Sequence, residues 1–295
     1  MKKRIKMGDR KDGIWLRDAD AMHTIMPFIF PNRCDNEAFI SEKIDLTNVN
    51  AYLEKKNAEN PEYKYSLFQV IVTATMKTIM MRPNLNRFII GKRIYLRNDF
   101  SAAFIVKKAF TDNGDEAIAV INFEDEANID WFNKKLHDIV HSTRNTDKKD
   151  SATDTMEFFK KLPRFLITFI IKIINILNYY GKVPDFITKG DLSYATCMFS
   201  NLGSIGLKAG YHHLYNWGTN SIFVVIGEKK ESHYFDNEGN VKKHETLEMG
   251  FTIDERLADG YYYSKSFKLL RYLLQHPEEL EKPMMGEVND EWKCK

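Results

Sequence analysis

Eight residues with chemistry to offer fall in three short stretches of the sequence: Ser200 and Asn201, His212 and His213, and Asp254, Glu255, Arg256 and Asp259. An imidazole titrates near ~6.5 and exchanges protons at neutral pH, whereas a glutamate, ordinarily near ~4.3, does so only where burial raises it. The histidine pair lies in GYHHLYNWGTN (Gly210 to Asn220), where Tyr211, Tyr215 and Trp217 make a partly buried setting that tunes titration. On their own, adjacent histidines in such a loop are packing and hydrogen-bonding groups, and only nearness to Ser200 makes them catalytic candidates. A metal site is not expected, because adjacent side chains on an extended segment diverge and no Cys or third His follows at ligand spacing. Cys34, Cys197 and Cys294 are likewise too scattered for a zinc site or a disulfide framework. Gly203, Gly206 and Gly210 lack the spacing of a dinucleotide loop and are read as allowing a tight backbone path or a close approach to ligand.

The elements that must position these residues are three predicted strands, Tyr194-Ser200, Ser221-Gly227 and Leu247-Ile253, rich in β-branched and aromatic residues. Asp236-Asn237-Glu238-Gly239 is a turn signal between the second and third. Read as an antiparallel meander, the first strand ends at Ser200 and the second leaves from that same edge. The third returns to it, so that loop 201–220 and turn 254–260 gather all eight residues together. A closing helix is predicted over Tyr261 to Gln275, with Pro277 just beyond it.

Further upstream, Ser66 to Met81 has helical spacing, Arg87-Ile90 and Arg93-Leu96 flank a Gly91-Lys92 hairpin turn, Ser101-Phe110 and Ala117-Phe123 extend a sheet, and Glu126-Ile139 is helical. His141 to Thr155 is polar and reads as a linker inside one fold. Leu162 to Tyr180 is long enough to span a membrane, but Thr168, Lys172, Asn175 and Tyr179 fall into one helical stripe. It is therefore read as an amphipathic helix packed on protein, then as a membrane-surface helix, and last as a span. With 43 basic against 41 acidic side chains, the overall field is too weak to argue for nucleic acid or anionic lipid. The basic start lacks the apolar run of a secretory signal, so a cytoplasmic protein is expected, and 295 residues are read as a single domain spanning 1–295.

FTIDERLADG (Phe251 to Gly260) resembles the Asp-His-Arg-x-x-Asp-Gly signature of the dihydrolipoamide (2-oxoacid dehydrogenase) acyltransferase catalytic domain, a relative of chloramphenicol acetyltransferase, with Glu255 in place of the His. FSNLGSIG (Phe199 to Gly206) is similar to the family's Ser-Asn-x-Gly-x-x-Gly segment, and the strand SIFVVIG follows. EKIDLTNVNAYLEKKN (Glu42 to Asn57) resembles its strand-to-helix passage, so the likeness runs from about Met22 to the end.

The resemblance implies an α+β fold, a chloramphenicol acetyltransferase-like two-layer sandwich with a mixed sheet flanked by helices. It also implies a homotrimer with its active site in a channel between subunits. In the family the His takes a proton from a thiol that attacks an acyl thioester, and the Ser stabilises the oxyanion. Carried over, Ser200 is the oxyanion donor, Asp259 the structural anion paired with an Arg, and Arg256, Asn201 and Gly260 supporting residues. Glu255 stands at the base, with His212 and His213 as substitutes for the missing imidazole. A thiol near ~8.5 asks a glutamate base for a strongly raised pKa. No lipoyl domain or lipoyl attachment is expected. A free-standing acyltransferase with a coenzyme A thioester donor and a small-molecule acceptor is therefore the first reading. A catalytically silent relative that binds an acyl thioester or serves in assembly is the second.

Overall fold

The computed structural model describes residues 6–107, 116–145, 159–188 and 190–294. In chain order the helices are α1 (Ala21–Ile29), α2 (Thr47–Ala58), α3 (Leu67–Met81), α4 (Ile129–Asn145), α5 (Arg164–Tyr179), α6 (Asp185–Thr188), α7 (Gly260–Gln275) and α8 (Glu291–Cys294). The strands are β1 (Gly13–Trp15), β2 (Glu37–Asp45), β3 (Arg87–Ile90), β4 (Arg93–Arg97), β5 (Phe100–Lys107), β6 (Glu116–Phe123), β7 (Cys197–Asn201), β8 (Ile222–Phe235) and β9 (Val241–Asp254).

Two sheets form, one of three strands in the order β1-β4-β3 and one of six in the order β2-β9-β8-β7-β5-β6. The six-stranded sheet is mixed, because β7 runs parallel to both β5 and β8 while the other pairs are antiparallel. Alternation along its strands divides the core. Cys197, Phe199, Val224 and Phe251 face a layer that includes α2, α3, α4 and α7, whereas Met198, Phe223 and Val225 face the other way, toward Leu214. Helix α3 opens on a capping box of Ser66 and Gln69 and is buried along most of its length. The α+β architecture expected from sequence, a mixed sheet flanked by helices, is the one observed.

The expected meander is corrected at its first step. Cys197 pairs with Ile222 and Asn201 with Ile226, so β7 and β8 point the same way. The chain leaving Asn201 must therefore travel back along the sheet before β8 can begin, and it does so without a helix. Glu228 donates its amide to Leu207 O at 2.9 Å, His212 stacks on Phe223 with ring centroids 4.2 Å apart, and the Leu214 amide reaches the Glu37 carboxylate. Three glycines let this segment lie against the sheet. A Cβ on Gly250 would stand 2.0 Å from Gly210 O, one on Gly227 2.4 Å from Ala209 N, and one on Gly203 2.2 Å from Gly227 O. The close approach expected at Gly203 is thus to backbone, while Gly206 ends a short 3-10 turn in the left-handed region and Gly210 has open space where a Cβ would go.

At the far end of β9 sits a buried ion pair. Asp254 is fully buried and receives a forked pair of bonds from Arg256, Nε to Oδ1 at 2.7 Å and Nη2 to Oδ2 at 2.6 Å. Arg33 Nε lies 3.8 Å from the same carboxylate. Burial lowers Arg33 to about 10, a shift that Asp254 opposes. Arg256 also donates to Phe30 O at 2.7 Å, tying the 3-10 turn Glu255–Leu257 to the end of α1.

Two further expectations change. Helix α4 runs through Asn145, so His141 to Asn145 are helical rather than linker, and 146–155 lie outside the described residues. Among the described residues no helix is long and apolar enough to cross a membrane. The apolar helix expected over Leu162 to Tyr180 does form, as α5, and packs on protein by one side, but only Ile174 and Asn178 of it are buried, so less of it is covered than expected.

Two stability measurements follow. Gly250→Ala should cost about 1–3 kcal/mol, because a methyl cannot share space with a backbone carbonyl; a urea midpoint equal to that of the parent would contradict the crossing. Asp254→Asn should cost roughly 3–5 kcal/mol by leaving two buried guanidinium groups uncompensated. Asp259→Ala, which removes only the N-cap of α7, should cost about 1 kcal/mol, and the reverse ranking would contradict the assignment.

Candidate functional site

The turn after β9 is held from every side by backbone contacts. The Glu255 amide donates to Asn36 O at 3.0 Å, Arg87 Nη1 donates to Leu257 O at 2.9 Å, and the Tyr263 hydroxyl donates to Asp254 O at 2.9 Å. Burial lowers Arg87 and raises Tyr263, which keeps that phenol a hydrogen-bond donor. From Asp254 to Ala258 every residue is buried except Glu255. The fold therefore presents one carboxylate outward from a rigid pedestal.

Asp259 does not fill the role expected of it. It is exposed, and its Oδ1 accepts the Tyr262 amide at 2.7 Å as the N-cap of α7, with Gly260 the first residue of the helix. The buried carboxylate paired with arginine belongs to Asp254, and Arg256 is its partner. Arg256 holds the turn through Asp254 and not through Asp259.

Ser200 and Glu255 are apart within one chain. Ser200 pairs with Val225, and Val225 with Gly250, five residues before Glu255 and two strands away. At ~3.3 Å per residue and ~4.8 Å per strand, roughly 19 Å separates them. Asn201, at the same end as Ser200, caps the following 3-10 turn by accepting the Ser204 amide at 3.2 Å. The parallel pairing of β7 with β8 is the reason: it puts the exit of β7 at the end of the sheet remote from the β9 turn.

The histidine pair lies toward the Asp254 end of the sheet, on the face covered by the crossing segment. His212 Nδ1 is 2.8 Å from His213 O, and His213 Nδ1 is 3.2 Å from Leu214 O. Tyr215 packs edge-on against both rings, but Trp217 turns away to Asp191, donating its indole N–H at 2.9 Å, and Tyr211 leans on Phe39. Both imidazoles are therefore engaged at Nδ1, and the sequence-based neighbourhood divides into Ser200 with Asn201 at one end and the histidines with Glu255 at the other.

One imidazole escaped the sequence reading. His23 Nδ1 lies 2.6 Å from Asp20 Oδ2, and the His23 amide donates to Asp20 Oδ1 at 3.0 Å. That amide first, and then the ring, hold the Asp20 carboxyl below its ordinary value. The pair lines a cleft of about 1260 Å³, together with Trp15, Arg17, Arg87 and Arg97. Arg87 joins this cleft to the turn through Leu257. The legible signal was an Asp three residues before a His at a helix start, which serves as the N-cap of α1. Neither Ser200, Glu255 nor the His212-His213 pair lines this cleft. Among the described residues no group of three or more His, Cys, Asp and Glu side chains is arranged to hold a metal ion.

Residues 185–281 match the family described as 2-oxoacid dehydrogenases acyltransferase (catalytic domain). No curated protein matches the chain in sequence. Among solved structures, a probable dihydrolipoamide acetyltransferase from Listeria monocytogenes is similar at 14% identity and a TM-score of 0.57, over 92% of this chain and 96% of that one. The cubic core of the pyruvate dehydrogenase multienzyme complex is similar at 14% identity and 0.58, over 88% of each chain. A chloramphenicol acetyltransferase is similar at 12% identity and 0.53, over 87% of this chain and 96% of that one. The family match over residues 185–281 takes in both signature segments, and the chain as a whole carries the fold of the dihydrolipoamide acetyltransferases and chloramphenicol acetyltransferase.

Proposed function

We propose that this chain is an acyltransferase that works as a homotrimer, using a coenzyme A thioester as donor and a small molecule as acceptor. The observation that carries the reading is the geometry of the two signature segments. Glu255 alone is offered outward from a buried turn, and Ser200 lies at the exit of β7, two strands away and five residues along the same sheet, roughly 19 Å from it. A site using both needs Ser200 from one subunit and Glu255 from the next. A heterologous interface repeated around a threefold axis closes after three copies and yields three such sites.

In that site the Glu255 carboxylate takes the proton of the acceptor's thiol or hydroxyl as its oxygen or sulfur attacks the thioester carbonyl. The Ser200 hydroxyl donates a hydrogen bond to the oxyanion, a contribution typically of about 10²–10³ in rate for one such donor. Collapse breaks the carbon–sulfur bond, and the departing coenzyme A sulfur receives the proton from Glu255. An exposed glutamate is a weak base for a thiol, so the neighbouring subunit must also dry the site and raise the carboxyl. The rigid turn suits this, because only the one side chain has to be desolvated.

A second reading, a silent relative that binds an acyl thioester without proton transfer, is favoured by the histidines. No imidazole stands on the turn, and His212 and His213 are both engaged at Nδ1 with backbone carbonyls. The two readings separate on three measurements.

Light scattering should give the mass of a trimer, and a monomer at micromolar concentration contradicts the first reading. Glu255→Gln should lower thioester-dependent transfer about 10²–10⁴-fold with the melting temperature unchanged, while Glu255→His should raise it. If His23→Ala or His213→Ala is the severe variant and Glu255→Gln is mild, the base is an imidazole and not Glu255. No transfer from the parent, Glu255→Gln or Glu255→His with any of several donors and acceptors supports the silent relative. Finally, Ser200→Ala and Glu255→Gln chains, each inactive alone, should regain roughly a quarter of parental activity when co-assembled in equal amounts, since one site in four then pairs an intact Ser200 with an intact Glu255. No recovery in verified mixed trimers contradicts a shared site.

A further inference from the structure

Helix α5 carries more apolar surface than the protein covers. Its buried residues are Ile174 and Asn178, and Arg10 anchors this side through the Asn178 backbone carbonyl and through Oδ1 at 3.4 Å. Phe165, Phe169, Ile176 and Tyr180 recur at steps of four, seven and four and so share one face, with Ile173 between them. That face is open: Phe165 is 76% exposed, Phe169 59%, Ile176 59% and Tyr180 63%. The stripe of Thr168, Lys172 and Asn175 is solvent-facing as expected, yet it is narrow, and apolar residues line both of its sides. Near the end of the helix Tyr179 lies over Gly91, and the neighbouring Lys92 Nζ stands 5.1 Å from the ring of Phe28, itself 56% exposed. The open apolar surface thus continues from α5 onto α1.

Charge identifies what covers it. From Lys160 to Lys182 the sequence holds Lys160, Lys161, Arg164, Lys172 and Lys182 and no Asp or Glu. All five are exposed, and none of them forms an ion pair with a described carboxylate. A chain that is nearly neutral overall has concentrated positive charge, unpaired among the described residues, around an apolar and largely exposed helix. Water is a poor solvent for such a face, whereas the boundary between anionic headgroups and acyl chains satisfies both halves of it.

We propose that α5 is a membrane-surface helix, which lies in the plane of an anionic lipid surface with Phe165, Phe169, Ile173 and Ile176 inserted among the acyl chains and the flanking lysines at the headgroups. It is too short and too amphipathic to cross the bilayer, in keeping with the absence of any spanning helix among the described residues. Attachment by α5 holds the rest of the protein at the surface and does not draw on the acyl-transfer reading.

Flotation of the full chain with vesicles tests this directly. With phosphatidylcholine vesicles containing phosphatidylserine the protein should float, with pure phosphatidylcholine it should float far less, and rising salt should release it. Changing Phe165, Phe169 and Ile176 together to Ser should weaken binding about tenfold or more, because three open apolar side chains are removed. Lys172→Gln alone should weaken it about fivefold. Both variants should melt with the parent, since every altered side chain is exposed. Failure of the parent to float, equal flotation on neutral and anionic vesicles, or undiminished flotation of the Ser variant overturns the proposal. A fall in oligomer mass on the Ser substitutions also overturns it, because the face then belongs to a second copy of the chain.

Discussion

The carboxylate of Asp254 is the point on which the site depends. A charge that is fully buried has to be matched, and here two guanidinium groups match it: Arg256 from two residues on and Arg33 from the turn that precedes β2. Because each arginine spends other donors on backbone carbonyls, Phe30 O for Arg256 and Tyr215 O, Ile89 O and Gly218 O for Arg33, the ion pair binds four chain segments that are far apart in sequence: 30–33, 89, 215–218 and 254–256. The turn carrying Glu255 can take one conformation as a result. Because the Glu255 side chain is exposed, a substitution at 255 changes the chemistry on offer while the buried turn beneath it is kept.

The second constraint is the direction of β7. A parallel neighbour obliges the chain to return along the sheet, usually through a helix. Here an extended segment makes the return, pressed so close to β8 and β9 that three glycines are needed beneath or within it. This segment brings the aromatic-rich loop to the Asp254 end and leaves Ser200 at the other. On the proposed reading, what looks in one chain like a divided site supplies the two halves of a site shared between subunits.

The sequence made much of this legible where local chemistry decides structure. The Gly91-Lys92 hairpin, α3, the Asp236 turn and α7 are where spacing and turn residues pointed, while β8 and β9 contain the expected strands but run on to that turn, about twice as long. The signature segments marked the turn after β9 and the end of β7, which begins at Cys197 and not at the expected Tyr194. What sequence could not convey was strand direction: the polar, glycine-containing loop between β7 and β8 has no helical pattern, so an antiparallel return was the simpler reading, and one wrong direction moved Ser200 to the opposite end. The two carboxylates of the signature were also exchanged, because burial distinguishes Asp254 from Asp259 and their spacing does not. Periodicity in α5 identified the polar stripe but could not say how much of the remaining surface the protein would cover. The His23 and Asp20 pair was invisible as chemistry because a capping Asp has an adequate structural reason of its own.

The central claim is that Ser200 and Glu255 meet between subunits and not within one. Cysteines introduced together at 200 and 255, treated with a short thiol-reactive bridge and separated under denaturing conditions, measure this directly, with the parent chain as the control for Cys34, Cys197 and Cys294. The account predicts covalent dimers and trimers that require both substitutions and persist on dilution. Bridging confined to single chains, or none at all in a correctly folded trimer, would contradict it.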